Sequence, residues 1–398
     1  MRLTATRNRE FELVVACCLW PPSPARNAAV ATAAAGPIDW ARFVRVVRRQ
    51  RVPGLVWNGL MQAGVDLPPE IAQKLKADAG QTARANLMLC AEAIQLQRKF
   101  EAAGLACAFL KGATVAVLAY GELGIRHAKD IDMLVSEADF SAACDLLVAQ
   151  DYRRTKPAGP VSEQCLALWR RFSKDMEWHH DGKRINLELH WKLTTFSFLL
   201  TDPADLGRLQ LVPVSAGLPL ATLPQPDLFG YLCVHGANHG WSRLKWLADV
   251  NALLAGRPAA VIEEYFRFAT ERGIDRPVGQ ALLLCRLLFG LELPAGVAAK
   301  LDRSRIMVLS ARAARFLMTR GGAEAEIYDL PFGTTYVYLL HFLMMKSLRD
   351  AASEAFNRSI NLDDVIDMPL PGWLGFLYPL LRWPLWCVRR LSAAGASR

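Results

Sequence analysis

What the chain lacks narrows its reading first. No CxxC pair occurs among its nine cysteines, at positions 17, 18, 90, 107, 144, 165, 233, 285 and 387, so a zinc ribbon has no support. Their number is odd, their spacing irregular, and most stand among apolar neighbours, as in Leu232-Cys233-Val234. They read as reduced core residues of a cytoplasmic protein. No run of five basic residues exists, which speaks against a dedicated nucleic-acid arm. No window reaches the roughly 18–20 uninterrupted apolar residues of a membrane span. Phe11–Cys18 is apolar but short, carries Glu12 and stops at Trp20-Pro21-Pro22, so no signal peptide is expected, although Ala28–Ala35 imitates a cleavage region. No internal repeat is found.

What is present is a chain of 398 residues, 52% hydrophobic and 21% charged, globular and long enough for two or three domains. Lys and Arg exceed Asp and Glu by 47 − 38 = 9, a balance that suits an anionic partner such as a nucleotide or an acidic membrane surface. Up to Gly104 the apolar spacing is helical: Trp40, Phe43, Val44 and Val47, then Ile71, Leu75, Leu87, Ile94 and Phe100. The character then changes. Ala106–Leu110 fits a short buried strand, Lys111-Gly112 a turn, Ala113–Tyr120 a helix, Gly121–Lys129 a loop and Asp130–Val135 a second strand. Ser136–Asp139 offers N-caps for a helix reaching about Gln150. Farther on, Lys174–His179 and Arg184–Trp191 flank His180-Asp181-Gly182-Lys183, a hairpin signal. In the second arm Ile185, Leu187, Leu189 and Trp191 alternate with Asn186, Glu188, His190 and Lys192, giving one buried face and one face of chemistry-capable groups. After the Pro-rich stretch Leu218–Pro226 the helical spacing returns. The expected organisation is a helical region 1–104, a small α/β core 105–215, a helical domain 216–368 and an aromatic, Arg-rich tail 369–398.

Asp130 and Asp132 stand on one face of an extended strand, about 6–7 Å apart. Taken alone, this Asp-x-Asp fits either a solvated edge strand or half of a metal site. Two carboxylates so close repel unless a cation neutralises them, and oxygen ligands suit Mg²⁺ or Mn²⁺. Glu188, on the polar face of the hairpin arm, is the best third carboxylate for a metal clamp on phosphate.

The order strand, Gly turn, helix and Asp-x-Asp strand resembles the DNA polymerase β nucleotidyltransferase superfamily. More narrowly, the chain resembles the bacterial uncharacterised nucleotidyltransferase family, found beside exopolysaccharide and peptide biosynthetic gene clusters. The matching pieces are Ile38-Asp39-Trp40, Arg51-Val52-Pro53, Phe109-Leu110-Lys111-Gly112, Arg126 with Asp130-Ile131-Asp132-Met133-Leu134-Val135, Leu187-Glu188-Leu189-His190-Trp191 and Leu232–Trp241. The resemblance implies an α+β fold, with a small mixed-sheet core of polymerase-β type flanked by N-terminal and C-terminal helical regions. It further implies that Asp130, Asp132 and Glu188 hold divalent metal, that Lys111, Gly112 and Arg126 meet the triphosphate, and that an acceptor hydroxyl attacks the α-phosphorus of an NTP with loss of pyrophosphate. His190 joins the nucleotide-binding set. Two departures stand out: Ala113 follows Gly112 where Ser or Gly is usual, and seventeen residues separate Gly112 from Asp130.

Between Leu228 and Val250, His235, His239, Trp246 and Asp249 fall within one arc of a continuous helix. Gly236 stands where a zinc protease needs Glu, and Asp249 would lie about 15 Å along the axis from His239, too far to share an ion. His235 and His239 therefore either face the nucleotide or acceptor, or bridge helices in the core. The tail from Leu370 to Leu391 holds three Trp and three Arg interrupted by prolines; it fits an interfacial anchor on anionic lipid or a wrap on the helical domain. The competing function class is a non-catalytic partner that keeps the fold and binds nucleotide or peptide. A third class, zinc hydrolysis at His235 and His239, predicts stoichiometric zinc.

Overall fold

A computed structural model describes residues 8–196, 198–200, 205–215, 217–330, 332–368, 370–381 and 384. The fold is α+β, a five-stranded sheet with helices before and after it. Its elements run α1 (Arg9–Cys17), α2 (Pro24–Ala34), α3 (Trp40–Gln50), α4 (Pro53–Gln62), α5 (Pro69–Ala102), β1 (Cys107–Phe109), α6 (Ala113–Tyr120), β2 (Ile131–Val135), α7 (Phe140–Ala149), β3 (Tyr152–Lys156), α8 (Glu163–Phe172), β4 (Asp175–His180), β5 (Ile185–His190), β6 (Gln210–Ser215) and β7 (Leu218–Thr222). Among the described residues nine further helices begin with α9 (Gln225–Asn238), α10 (Leu244–Leu254), α11 (Ala259–Glu271), α12 (Asp275–Phe289), α13 (Ala295–Arg303), α14 (Arg305–Thr319) and α15 (Gly333–Met344). The last two, α16 (Leu348–Ser359) and α17 (Leu362–Asp367), are followed by a 3₁₀ turn at Gly372–Leu377.

Backbone contacts divide the chain into two compact units. The first comprises residues 1–132 and 205–344, the second 133–204 and 345–398, so the stretch 105–215 is divided between them. Strand β2 is continuous across this division, with Ile131 and Asp132 counted in the first unit and Met133–Val135 in the second. The sheet order is β1-β2-β5-β4-β3. Thus β2 is an inner strand, and all five of its residues are buried. The solvated edge-strand reading fails for Asp132 for that reason: an inner strand buried on both faces holds no freely hydrated carboxylate, whereas Asp130 precedes the strand and is half-buried.

In the first unit, α1 buries Leu13, Val14 and Cys17 completely, so the apolar Phe11–Cys18 stretch is core. Helix α5 is a single 34-residue helix closed at Gly104, whose φ of +71° suits glycine. The Pro-rich stretch 218–226 proves to contain strand β7, paired antiparallel with β6 so that Pro213 faces Pro219. Proline donates no ladder hydrogen bond and is tolerated in such a two-stranded ribbon, where every strand is an edge.

In the second unit, β4 and β5 form the expected hairpin, with Glu177 opposite Glu188 and Asp175 opposite His190. Its loop spans four residues, and the left-handed position falls on Arg184 (φ +54°) rather than on Gly182. Ile185, Leu187, Leu189 and Trp191 are buried, as the alternation requires. Tyr378 is buried with Cys165 and Val365, and its hydroxyl donates to the Met368 carbonyl and accepts from the Leu370 amide. The remaining tail residues Arg382, Trp383, Trp386, Cys387, Arg389 and Arg390 lie outside the described residues. The eight described cysteines are all free, and seven are buried. Among the described residues no helix is long and apolar enough to cross a membrane.

Candidate active site

The site begins at the turn between β1 and α6. The Leu110 amide donates to the Asp132 carbonyl at 3.0 Å, which ties the start of the turn to β2. Gly112 then takes φ +73°, ψ −128° and caps α6, a backbone region accessible essentially to glycine alone. A Cβ there would meet nothing within 4 Å, so conformation, not crowding, demands glycine. Thr114, fully buried, donates to the Phe109 or Lys111 carbonyl, each 3.2 Å away. This residue was not singled out from sequence, although a hydroxyl two positions after a turn glycine is a usable signal. Gly112→Ala is expected to cost about 1–3 kcal/mol, measured as a lowered urea midpoint; an unchanged midpoint would show that the turn tolerates a side chain.

Asp132 is the second residue of β2 and 3% exposed. A carboxylate this buried needs a partner, and Lys111 Nζ lies 2.7 Å from its Oδ1. On the neighbouring strand β5, Glu188 is partly exposed and His190 is fully buried. Their Oε2 and Nε2 are 3.4 Å apart. Lys174 Nζ contacts Asp175 and lies 3.7 Å from Glu188. One ligand atom each from Asp132, Glu188 and His190 lie within 4.8 Å of one another. Two carboxylates and an imidazole so close fit a divalent cation such as Mn²⁺ or Mg²⁺, the oxygen donors suiting either. Asp130 sits at the bend before β2, half-buried, and is not in that group; its charge bears on Arg51 and Lys245.

Arg126 is buried and already engaged: its Nε donates to Asp249 Oδ2 at 2.9 Å. The Tyr120 hydroxyl donates to Asp249 Oδ1 at 3.0 Å. Asn86 of α5 donates toward the Arg126 and Leu123 carbonyls and accepts from the Ala128 amide, which fixes the loop leading to Asp130. Beside this pair stands Lys245, in the first turn of α10. Burial, then the Arg126 charge, brings its ammonium down to about 7. Burial likewise holds His127 near 3, helped by Lys245, Arg51 and Arg126, so it is neutral at pH 7.

The single helix expected over 228–250 is broken. Helix α9 ends at Asn238, α10 starts at Leu244, and the turn between them carries Gly240 (φ +58°) and Trp241 (φ +50°). Gly236 is where the buried Trp241 ring seats itself, and a Cβ there would approach the ring to 2.4 Å. That close packing explains the glycine in place of a catalytic Glu. His239 stacks on Trp246 with centroids 4.7 Å apart, and His235 meets Trp246 edge-on at 5.7 Å. Asp249 instead faces Arg126. Among the described residues His235 and His239 join no group of three metal-ligating side chains.

No curated protein is similar enough to match the chain. The family model described as "Uncharacterised nucleotidyltransferase" matches residues 36–290, a span that takes in the Gly112 turn, the β2 aspartates, the β5 arm and the α9–α10 turn. With well over half of its length so matched, the chain belongs to the uncharacterised nucleotidyltransferase family.

Proposed function

We propose that the protein transfers a nucleoside monophosphate from an NTP to a hydroxyl of a small molecule, saccharide or peptide, in a Mg²⁺- or Mn²⁺-dependent reaction of a biosynthetic pathway. The observation that carries this reading is the buried Asp132 on an inner strand with Glu188 and His190 donor atoms within 4.8 Å. Asp132 and Glu188, with Asp130 or His190, are the residues that would hold the metal. When bound, the cation would supply Lewis-acid polarisation of the phosphate and acidify the acceptor hydroxyl. Lys111 is placed to exchange Asp132 for a phosphate oxygen, and the backbone N–H groups after Gly112, at the start of α6, favour an anion. Arg126, anchored on Asp249, adds positive charge where negative charge builds on the leaving pyrophosphate. Glu188 is the carboxylate assigned to accept the acceptor's proton. His235 and His239 are assigned to the nucleotide or acceptor side. We assign the reaction to the cytoplasm, a reading supported by the odd number and irregular spacing of the cysteines, with the tail 369–398 as a candidate membrane contact.

A second reading is favoured by one observation. Lys111 at 2.7 Å from Asp132 balances the charge of that carboxylate as a metal would, which suits a non-catalytic nucleotide-binding partner. Incubation with each α-labelled NTP, divalent metal and a pool of candidate acceptors separates the two. Metal-dependent label transfer with pyrophosphate release supports transferase activity. Nucleotide binding without pyrophosphate release from any NTP supports the partner reading.

A further inference from the structure

The arginines entering and leaving α3 differ in one respect. Arg42 pairs with Glu10 at 2.7 Å, Arg45 with Glu324 at 2.5 Å, Arg48 with Asp78 at 2.7 Å and Arg49 with Glu326 at 3.4 Å. Arg51 has no ion pair within 4.0 Å and no side-chain hydrogen bond among the described residues, yet it is half-buried. It caps α3 in the left-handed conformation (φ 58°, ψ 44°), unusual for a residue with a long side chain. The pattern repeats around Asp130. Lys111 is taken by Asp132 and Arg126 by Asp249, whereas Lys245 has no ion pair among the described residues. The charges of Arg126, Asp249, Lys111 and Asp130 all bear on Lys245, and that of Asp130 bears also on Arg51. The buried His127 Nδ1 lies among the same cations without a hydrogen-bond partner among the described residues. The Leu244 amide donates to Gln50 Oε1 at 2.8 Å, which brings the residues preceding the two cations together. Asp130 and Asp249 act on Lys245, and Glu326 and Asp130 on Arg51, without an ion pair to either among the described residues, and a partly desolvated cation is costly unless an anion joins it.

We propose that Arg51 and Lys245 form a binding subsite for the phosphate tail of the nucleotide, a compact polyanion, alongside Lys111. This deepens the transferase reading and rests on it for the identity of the ligand. A compact polyanion fits better than a nucleic-acid backbone, because the two cations are few and half-buried rather than strung along an exposed track. Arg51 reaches the site from the helical segment before the core and Lys245 from the segment after it, so the nucleotide tail would be gripped by residues distant in sequence.

Calorimetric titration of the full chain with inorganic tripolyphosphate in EDTA, without metal, tests this. The wild type is expected to bind, and Arg51→Gln and Lys245→Gln are each expected to weaken binding by about tenfold or more. Arg51→Lys and Lys245→Arg, which keep the charge, should lose no more than about threefold. Arg267→Gln, on an exposed i,i+4 pair with Glu271, should bind as wild type and controls for net charge. Failure of the wild type to bind, or equal binding by both Gln variants at an unchanged melting temperature, overturns the subsite. If NMP transfer is absent but tripolyphosphate binding depends on both residues, the subsite stands and only the transferase reading falls. If transfer occurs with an unchanged KM for NTP in both Gln variants, the subsite alone falls.

Discussion

Asp132→Asn is expected to lower NMP transfer by about 10³-fold while leaving the fold intact. Asparagine keeps the shape and loses the charge. The strand conditions are unaltered, since the Asp132 carbonyl still accepts from Leu110, but one of the two carboxylates in the group of Asp132, Glu188 and His190 is gone. The loss should appear in kcat rather than in the KM for NTP, because the carboxylate acts on the reacting phosphate and not on the base. Steady-state kinetics together with a melting curve check this. A variant within tenfold of wild type at the same stability would move the chemistry away from β2. The departure at Ala113 gives the experiment added weight: if transfer is measurable at all, a backbone turn without a hydroxyl is sufficient for the phosphate.

Asp249→Ala is expected to destabilise the protein by about 3–5 kcal/mol. Asp249 is 2% exposed and Arg126 is 4% exposed. Removing the carboxylate strands a buried guanidinium and leaves the Tyr120 hydroxyl without its acceptor. Burial, then the Asp249 charge, already raises the Tyr120 phenol well above its usual value, so it stays a neutral donor. Chemical denaturation of Asp249→Ala, Arg126→Leu and the double Leu variant at these positions forms the test. The double variant should recover much of the loss, because a well-packed apolar pair avoids an unpaired buried charge. A cost under about 1 kcal/mol for Asp249→Ala would show that the pair is hydrated.

The parts of the fold legible in sequence are those with a local cause. Helix α6 lies at Ala113–Tyr120 as its glycine boundaries indicate, and the period-two pattern of β5 sorts buried from polar residues. The edge-or-inner question for β2 was not legible, because the answer depends on β1 and β5 pairing on either side. Strand β7 was hidden by Pro219, which in sequence signals a linker and in space needs only an edge. The break between α9 and α10 was hidden because apolar spacing continues through it. Arg51 and Lys245 stand apart only once Lys111 and Arg126 are seen paired with Asp132 and Asp249, a comparison that the folded chain alone permits. His190 was read onto the polar face of β5, and its complete burial next to Glu188 belongs to the packed structure.

The most direct test of the central claim is Mn²⁺ binding followed by electron paramagnetic resonance on the full chain, with Asp132→Asn and Glu188→Gln beside it. Stoichiometric Mn²⁺ on the wild type, weakened by about tenfold or more in each variant, is the result predicted. Mn²⁺ bound equally by all three proteins, or by none of them, would contradict a metal site built on Asp132 and Glu188.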